Sequence, residues 1–297
     1  MLPVFTHPAC LAHDPGPGHP EQPARLLALL SRLDSLTPVE RRESPQVSLD
    51  LARTVHDAAY LDRLAAMADA GGGALDADTT MSAASWEAAL RSAGGAVAAA
   101  AYALDHGSGA FSAGRPPGHH ALAGSAMGFC LLGNVVLAAR SALARGAGRV
   151  LIVDWDVHHG NGTQALVERE PAIRFVSLHQ WPWWPGTGAE RERGVGNIFN
   201  VPRPAGLPPT RYVEDLWAAV ARAIDGWAPS LAIVSAGFDA MAGDPLGGFT
   251  LEPEHYAELT TRLRAAMSPA PVIGVLEGGY IPSRLADGAA AHLTALA

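Results

Sequence analysis

Short apolar runs alternate with longer segments of helical periodicity along most of the chain. The runs have the length of buried strands, and each ends in a polar cluster; they are Ala110–Ala113, Val150–Val153, Arg174–Leu178, Leu231–Ser235 and Val272–Leu276. Helical spacing is found at Pro20–Leu36, Asp57–Asp69, Ser82–Asp105, Asn134–Arg145, Pro209–Trp227 and Pro253–Met267. This alternation predicts an α/β fold in which a mainly parallel sheet is sandwiched by helices, after a helix-rich first third.

The length and composition favour one folded domain. The chain has 297 residues, of which 48% are hydrophobic and 17% charged, so it can bury a large core and does not have the composition of a disordered protein. We find no long linker and no fixed-period repeat, and we therefore expect a single catalytic domain over residues 1–297.

Charge and cysteine content exclude several classes of function. The formal net charge is -8, which disfavours binding to nucleic acid, and the only cysteines are Cys10 and Cys130, too few for a disulfide framework or a thiolate zinc site. The N-terminus lacks the pattern of a signal peptide, and the apolar stretch Ala96–Leu104 is too short to cross a membrane. We expect a cytoplasmic protein that does not bind membranes.

Polar clusters follow five of the predicted strands. Because the carboxyl ends of parallel strands form the ligand crevice of an open sheet, these clusters should converge on one active site. They are GRPPGHH, DWDVHHGNG, SLHQ, GFDAMAGDP and EGGY.

The second cluster has the character of a metal site. If the strand continues, Asp154, Asp156 and His158 occupy alternate positions and share one side. Two carboxylates that leave an apolar strand are costly to bury without a cation, although an exposed polar edge is the alternative. Asp239 is the natural third protein ligand, since its loop follows another strand. Such a set leaves a coordination position open for water, as in catalytic rather than structural sites.

Two other clusters offer acid–base and hydrogen-bonding groups. His119 and His120 follow a stiff Gly-Pro loop, and adjacent imidazoles beside a metal suggest proton transfer, the alternative being buried histidines satisfied by hydrogen bonds. Tyr280 lies on a Gly-rich turn and could stabilise an oxyanion, but alone it would more commonly be a surface tyrosine. His159 is expected to be structural.

Together these motifs identify a family. The sequence contains no phosphate-binding loop and no G-x-S-x-G elbow, which disfavours phosphoryl transfer and serine hydrolysis. It resembles the histone deacetylase superfamily, in particular class II histone deacetylases, bacterial histone-deacetylase-like amidohydrolases and acetylpolyamine amidohydrolases. The resemblance spans nearly the whole chain through GHPEQPARL, RPPGHHA, AMGFC, DWDVHHGNGTQ, SLHQ, PGTGA, SAGFDAMAGDPLGG and EGGY.

The resemblance implies a role for each matching position. Asp156, His158 and Asp239 match the zinc ligands, and Tyr280 the transition-state tyrosine. His120 would be the principal general base, with His119 in the second position near the metal. Further positions match residues that orient the histidines, hold a structural potassium ion or line a narrow tunnel. Asp154 would orient His119 and Asn161 would orient His120; the potassium site would use Asp154, Ser177 and Leu178; the tunnel would be lined by Gly128, Phe129, Trp184 and Leu246.

The resemblance thus implies a zinc-dependent deacylase of N-acetyl-lysine-type substrates in peptides or proteins. An acetylpolyamine amidohydrolase is the near alternative, to which acidic residues at the rim such as Asp14, Asp76 and Asp78 would contribute, although solvated surface acids are the more common explanation of such residues. A binuclear manganese ureohydrolase is a distant alternative, and a non-catalytic acyl-lysine reader would have lost part of the set. The sequence leaves open whether Fe²⁺ replaces Zn²⁺ in the cell, and whether the mouth is open or completed by a second copy of the chain in a homo-oligomer.

Overall fold

The computed structural model describes residues 1–36 and 39–297 and is built around one large sheet. Its strands and those of a small hairpin are β1 (Leu2–Thr6), β2 (Val39–Glu43), β3 (Gly72–Ala74), β4 (Thr80–Ser82), β5 (Ala110–Ser112), β6 (Val150–Asp154), β7 (Ile173–Gln180), β8 (Ile198–Arg203), β9 (Leu231–Ala236) and β10 (Val272–Leu276). The large sheet has the order β2-β1-β5-β10-β9-β6-β7-β8, and every neighbouring pair in it is parallel. The α/β fold with a parallel sheet is therefore confirmed.

Helices cover both faces of this sheet. They are α1 (Ala9–Ala12), α2 (Pro23–Leu33), α3 (Leu49–Ala52), α4 (Ala58–Asp69), α5 (Ser85–His106), α6 (Asn134–Ala144), α7 (Asn161–Val167), α8 (Pro209–Ile224), α9 (Pro253–Met267) and α10 (Pro282–Leu296). Four of them, α2, α8, α9 and α10, have a proline in the first two positions, where the missing N–H would have no helical partner.

Strand alternation divides the interior into two hydrophobic cores. In β6, Val150 and Ile152 pack into the core beneath α4, α5 and α6, whereas Leu151 and Val153 pack into the core beneath α2, α8, α9 and α10. All five residues of β6 are buried, which explains why the central strands read as continuous apolar runs rather than alternating ones.

The register of the central strands aligns the start of the polar clusters. Asp154 in β6 lies opposite Ser177 in β7 and opposite Ser235 in β9. Since all three strands run in the same direction, the segments that follow them leave the sheet at the same edge. The alignment brings distant parts of the chain to one place.

The apolar pattern predicts the central strands of the sheet but not the peripheral ones. The runs predicted as strands correspond to β5, β6, β7, β9 and β10 within two residues. The short strand β1 contains Pro3, β2 is a polar edge strand, and β8 contains Asn200 and Pro202, so none has an apolar run free of proline and polar residues. The helix predicted over Pro20–Leu36 is shorter and begins at Pro23, and the one predicted over Pro209–Trp227 ends at Ile224.

Within the described part of the chain, no helix is both long and apolar enough to span a membrane. That residues 1–297 form a single domain stays a prediction; the range includes Thr37 and Pro38, which lie outside the described residues.

Candidate active site

The metal-binding motif does not continue the strand from which it emerges. Strand β6 ends at Asp154, so the expectation that Asp154, Asp156 and His158 alternate along an extended strand is wrong. Instead each carboxylate accepts the backbone N–H two residues later: Asp154 Oδ1 from Asp156 N at 3.1 Å, and Asp156 Oδ1 from His158 N at 2.9 Å. Aspartates favour such local turns over a strand ladder.

These turns nevertheless bring the expected ligands together. Ligand atoms of Asp156, His158 and Asp239 lie within 4.8 Å of one another, and all three residues are buried. His158 Nδ1 is 3.1 Å from Asp156 Oδ1 and 3.3 Å from Asp239 Oδ2. Backbone groups hold the other carboxylate oxygens, because Val157 N donates to Asp239 Oδ1 and Gly278 N donates to Asp156 Oδ2.

This cluster fits a divalent cation. Asp239 Oδ2 is buried and, among the described residues, has no hydrogen-bond donor in good geometry; burial together with the charge of Asp156 raises the pKa of Asp239 to about 7. Two carboxylates this close repel each other unless a cation lies between them. The chain also leaves them space, since a Cβ at Gly278 would overlap both Asp239 Oδ2 and Asp156 Oδ2. Two carboxylates and an imidazole are donors that Zn²⁺ accepts.

The tandem histidines lie against this cluster and have different partners. His119 Nδ1 is 3.0 Å from Asp154 Oδ2, whereas His120 Nδ1 is 2.7 Å from Asn161 Oδ1. The two rings are 3.9 Å apart between centroids, and both are 3% exposed. The pairs expected from the family resemblance are therefore formed. We call five residues the floor of the site: His119, His120, Asp156, His158 and Asp239.

Burial and neighbouring charges separate the two imidazoles electrostatically. Burial lowers the pKa of His120 well below its ordinary value, and His119 and His158 lower it further. Burial also acts to lower the pKa of His119, but Asp156 and Asp154 outweigh it, so that this pKa lies well above its ordinary value. These surroundings favour the neutral form of His120 and the protonated form of His119.

The loop after β10 is fixed from two sides. Glu277 Oε2 accepts from Gly118 N at 2.7 Å and from His119 N at 3.1 Å, so this buried carboxylate supports the tandem-histidine loop. The main-chain oxygens of Glu277 and Gly279 accept from the buried guanidinium of Arg25 at 2.5 and 2.6 Å. Together these bonds tie the loop that carries Tyr280 to the loop that carries the histidines.

Tyr280 extends from this loop toward the floor. Its backbone N–H donates to Asp244 Oδ2 at 2.7 Å, and Arg25 lies over its ring at 4.9 Å from the centroid. Burial, followed by the charge of Asp239, raises the pKa of the phenol well above its ordinary value. The hydroxyl therefore keeps its proton at neutral pH and can donate a hydrogen bond.

Arg25 is itself part of a buried charge network with Glu21 and Arg115. Glu21 accepts from Arg25 Nη1 at 2.7 Å and from Arg115 Nε and Nη2 at 2.5 and 2.7 Å. All three side chains are 0% exposed. Burial acts to raise the pKa of Glu21, but Arg115, His13 and Arg25 outweigh it and hold it well below its ordinary value.

A pocket of about 180 Å³ leads from the surface to the floor. It is lined by Asp78, His120, Gly128, Phe129, His158, Trp183, Trp184, Leu246 and Tyr280. All four residues that the family resemblance assigned to the tunnel, Gly128, Phe129, Trp184 and Leu246, are in this set.

Two aromatic rings form the walls of the pocket. Phe129 lies edge-on to Tyr280 at 5.8 Å, and Trp184 lies edge-on to His120 at 4.7 Å. Phe129 follows Gly128 in a tight turn, in which φ is 55° at Gly128 and 67° at Phe129. A bulky residue in this left-handed region is strained and needs support from its surroundings. Thr79 Oγ1 supplies part of it by accepting from Phe129 N at 3.0 Å.

The mouth of the pocket, to which the wall residue Trp184 also belongs, is more exposed than the floor. We call four residues the rim: Asp78, Trp183, Trp184 and Leu246. Trp183 is 45% exposed and Trp184 40%, and Trp183 Nε1 donates to Leu246 O at 2.9 Å, which joins two rim loops.

Only one of the three acidic residues considered for the rim lines the pocket. Asp78 does so, whereas Asp76 Oδ1 accepts from the backbone of Asp78 and Thr79, and Asp14 Oδ1 accepts from Gly16 N. Burial, opposed by a hydrogen bond from Thr79, raises the pKa of Asp78. Asp76 and Asp14 stabilise turns in their own loops.

The positions considered for potassium lie just beyond the floor. Asp154 and Ser177 are opposite each other in neighbouring strands, and Ser177 Oγ is 2.9 Å from His179 Nδ1. Leu178 follows in β7 and is buried. Buried carboxylate, hydroxyl and main-chain oxygens are donors that a hard cation accepts.

His159 belongs to a network outside the pocket. Its Nδ1 is 2.8 Å from Thr187 Oγ1, and its Nε2 is 3.0 Å from Gln164 Oε1. Burial lowers its pKa to about 4. These contacts agree with the structural role expected for His159.

Sequence reasoning missed several residues that hold the site. Arg25 and Glu277 lie in the motifs GHPEQPARL and EGGY, but the motifs alone predict no role for them. The sequence also does not show that Trp183 lines the pocket together with Trp184. A charged residue that is fully buried commonly holds neighbouring loops in place. Its burial, however, can be seen only in the folded structure. The described residues offer one further group of potential metal ligands, His119, Cys130 and Glu277, whose single carboxylate does not suit a pair of manganese ions.

Comparisons with known proteins agree with this geometry. Residues 19–296 match the model of the histone deacetylase domain. The chain is 40% identical over 276 residues to the histone deacetylase-like amidohydrolase of Pseudomonas aeruginosa, covering 89% of this chain and 73% of that protein. It is 36% identical over 276 residues to a probable deacetylase of Methanothermobacter thermautotrophicus, covering 90% and 82%.

Solved structures give the same result. The crystal structure of the HDA15 HD domain superposes with a TM-score of 0.95 at 32% identity, covering 99% of this chain and 88% of that one. The acetylpolyamine aminohydrolase of Burkholderia pseudomallei superposes with a TM-score of 0.90 at 27% identity, covering 100% and 98%. The chain therefore belongs to the histone deacetylase family and is a hydrolase of the deacetylase and amidohydrolase type.

Proposed function

We propose that the chain is a zinc-dependent deacylase that hydrolyses the amide of N-acetyl-lysine-type substrates. The observation that carries this proposal is the convergence of a three-ligand cluster, two histidines of opposite electrostatic character and a neutral phenol at the bottom of one narrow aromatic pocket. The aromatic residues Phe129 and Trp184 both line the pocket and would enclose the aliphatic stem of a lysine side chain.

The residues around the pocket have distinct roles in this proposal. Asp156, His158 and Asp239 would hold Zn²⁺, or Fe²⁺ in the cell, and the bound cation supplies a Lewis acid that polarises the acyl carbonyl and acidifies water. His120, which is neutral, takes the proton of the attacking water, while Asn161 orients the ring. His119 keeps its proton through Asp154 and lies beside the developing charge.

Tyr280 stabilises the tetrahedral oxyanion. Its side chain lines the pocket, its backbone N–H donates to Asp244, and Arg25 donates to the carbonyl of the preceding Gly279. A donor that is already in position needs no reorganisation as negative charge grows on the carbonyl oxygen. The pair of imidazoles then returns a proton to the leaving amine, so no protein nucleophile is needed.

A structural potassium ion is a separate proposal. Asp154, Ser177 and the backbone of Leu178 would hold it beneath the floor. The ion would compensate the charge of Asp154, whose burial raises the pKa of its carboxyl.

Acetylated polyamines are the second candidate substrate. Asp78 lines the mouth of the pocket, and a polyamine keeps a positive charge after acetylation, so a carboxylate there would favour it. The similarity to an acetylpolyamine aminohydrolase points in the same direction.

One comparison of substrates tests the proposal. Zinc-loaded enzyme is incubated with an acetyl-lysine peptide, with acetylputrescine and with acetylspermidine, and kcat/KM is compared, with metal-stripped enzyme as the blank. We expect the peptide to be the best substrate. A higher kcat/KM for the acetylated polyamines would favour the second candidate, and no turnover of any of the three above the blank would refute both.

A further inference from the structure

The side-chain amide of Asn161 lies between His120 and Met127. Its Oδ1 is 2.7 Å from His120 Nδ1, and its Nδ2 donates to Met127 Sδ at 3.3 Å. An amide has one end that accepts hydrogen bonds and one end that donates them, so its orientation decides what each neighbour must do.

A thioether accepts hydrogen bonds and cannot donate them. If the amide of Asn161 were turned around, its oxygen would face Met127 Sδ, and two groups with lone pairs would be in contact. The sulfur therefore favours the orientation in which Asn161 Oδ1 faces His120. His120 must then donate from Nδ1, which leaves the lone pair on Nε2.

His119 does not depend on such an arrangement. Its partner Asp154 is a carboxylate, and both oxygens of a carboxylate accept hydrogen bonds. Only the neutral partner of His120 has two inequivalent ends. The requirement for an orienting group is thus specific to one of the two histidines.

The backbone of the residue that carries the sulfur is also fixed. Met127 O accepts from Cys130 N at 3.0 Å, closing the turn in which Gly128 and Phe129 have positive φ. The same turn presents the ring of Phe129 to the pocket. Asn161 is the first residue of α7, where its backbone is held in the helix.

We propose that Met127 is a positioning residue, whose thioether selects the orientation of the Asn161 amide and thereby the tautomer in which His120 presents Nε2 to the substrate. The catalytic consequence rests on the proposed function, whereas the tautomer itself does not. Met127 touches neither the substrate nor the metal ligands in this role. The effect is one of hydrogen-bond direction rather than of packing.

A double-mutant cycle separates direction from packing. Met127→Leu keeps the size of the side chain and removes the acceptor, and we expect it to lower kcat about fivefold with little change in KM, the effect of one hydrogen bond. In an Asn161→Asp background the partner of His120 has two accepting oxygens and no N–H for the sulfur. Met127→Leu should therefore cost less than about twofold there. An equal loss of kcat in both backgrounds would show a packing role and overturn the proposal.

The matched control is Met67→Leu. Met67 is a half-buried methionine in α4, outside the pocket, so this variant makes the same chemical change elsewhere. It should leave kcat unchanged. A comparable loss of kcat in Met67→Leu would mean that the loss in Met127→Leu does not report on Asn161, which would overturn the proposal.

A spectroscopic measurement tests the tautomer without turnover. In zinc-loaded enzyme with ¹⁵N-labelled histidine, the signals of His120 are identified by their loss in His120→Gln. We expect Nδ1 protonated and Nε2 unprotonated in the native chain, and a fraction of the reverse tautomer in Met127→Leu. The same tautomer in both would overturn the proposal. If the tautomer shifts while no acetylated substrate is turned over by any variant, the positioning role stands and the proposed function fails.

Discussion

The floor and the rim of the pocket are built in opposite ways. Every floor residue is buried; backbone N–H groups hold the two carboxylates, and Asp154 and Asn161 hold the tandem histidines. The rim includes two tryptophans that are 40 and 45% exposed and one carboxylate at the mouth. From this difference we expect the type of reaction to depend on the buried, mutually supported groups, and the choice of substrate to depend on the more exposed side chains of the rim.

The largest expected effect comes from removing a charge at the floor. Asp239→Asn keeps the size of the side chain but removes half of the carboxylate charge in the cluster, so we expect the loss of both bound zinc and turnover. Metal content by atomic emission and kcat/KM measure the two effects, and the native chain should bind one zinc ion at this cluster. Asp62→Asn, an exposed change in α4, is the control. Full zinc content in Asp239→Asn would contradict the assignment of the ligands.

A smaller but still large effect is expected when the metal ligands are kept and either a proton carrier or a hydrogen-bond donor is removed. His120→Ala should lower kcat by about 10²–10⁴-fold and Tyr280→Phe by about 10²–10³-fold, because each removes a group that acts in the transition state. Zinc content should stay at the native level in both. Tyr102→Phe, a half-buried tyrosine on α5, serves as the control. Near-normal turnover in either variant would count against the role given to that residue.

The buried charge network of Glu21, Arg25 and Arg115 can be disrupted by a substitution outside the pocket lining. Glu21→Gln leaves Arg25 and Arg115 without their buried partner and should lower the free energy of unfolding by about 3–5 kcal/mol at neutral pH. Because the pKa of Glu21 in the folded chain lies well below its ordinary value, its contribution is complete above about pH 5 and is lost as the pH falls below about 4.3 toward the folded pKa.

Urea denaturation as a function of pH measures this contribution. The stability difference between the native chain and Glu21→Gln should be constant near neutrality and shrink in acid. Glu40→Gln on the edge strand β2 is the control and should change the stability little. A pH-independent difference would show that the carboxylate charge is not the stabilising feature.

The smallest effect is expected at the rim, where it should distinguish substrates rather than abolish turnover. Asp78→Asn should lower kcat/KM for acetylspermidine about five- to tenfold and change the value for a neutral acetyl-lysine peptide less, because only the polyamine brings a positive charge to a partly exposed carboxylate. The effect should weaken as salt is added. Asp14→Asn, whose carboxylate lies outside the pocket lining, is the control. Equal losses for both substrates would exclude charge recognition by Asp78.

The floor could be predicted from the sequence to a larger extent than the rim. Asp156, His158 and Asp239 follow apolar runs, and parallel strands must deliver their ends to one edge of the sheet, so their proximity follows from the pattern. The local geometry did not follow from it. The strand stops at Asp154 because the aspartates bond the backbone ahead of them, a choice between two local structures that the spacing alone does not decide.

The pairing of charged residues far apart in the sequence could not be predicted, for a different reason. Glu21 and Arg115 are 94 residues apart, and their pairing depends on where α2 packs. Among Asp14, Asp76 and Asp78, only the path of the loop decides which one lines the pocket. Hydrophobic periodicity predicts which residues are buried, but it carries no information about which buried charges face each other.

Glu277 has a consequence for how such an enzyme can diversify. Its side chain accepts from the backbone of the histidine loop and its carbonyl accepts from Arg25, so Glu277 connects the loops that carry the residues proposed as proton carrier and oxyanion donor. A change that moves one of these loops should therefore also move the other. New substrate specificities should arise through changes at the rim, while the two loops keep their relative positions.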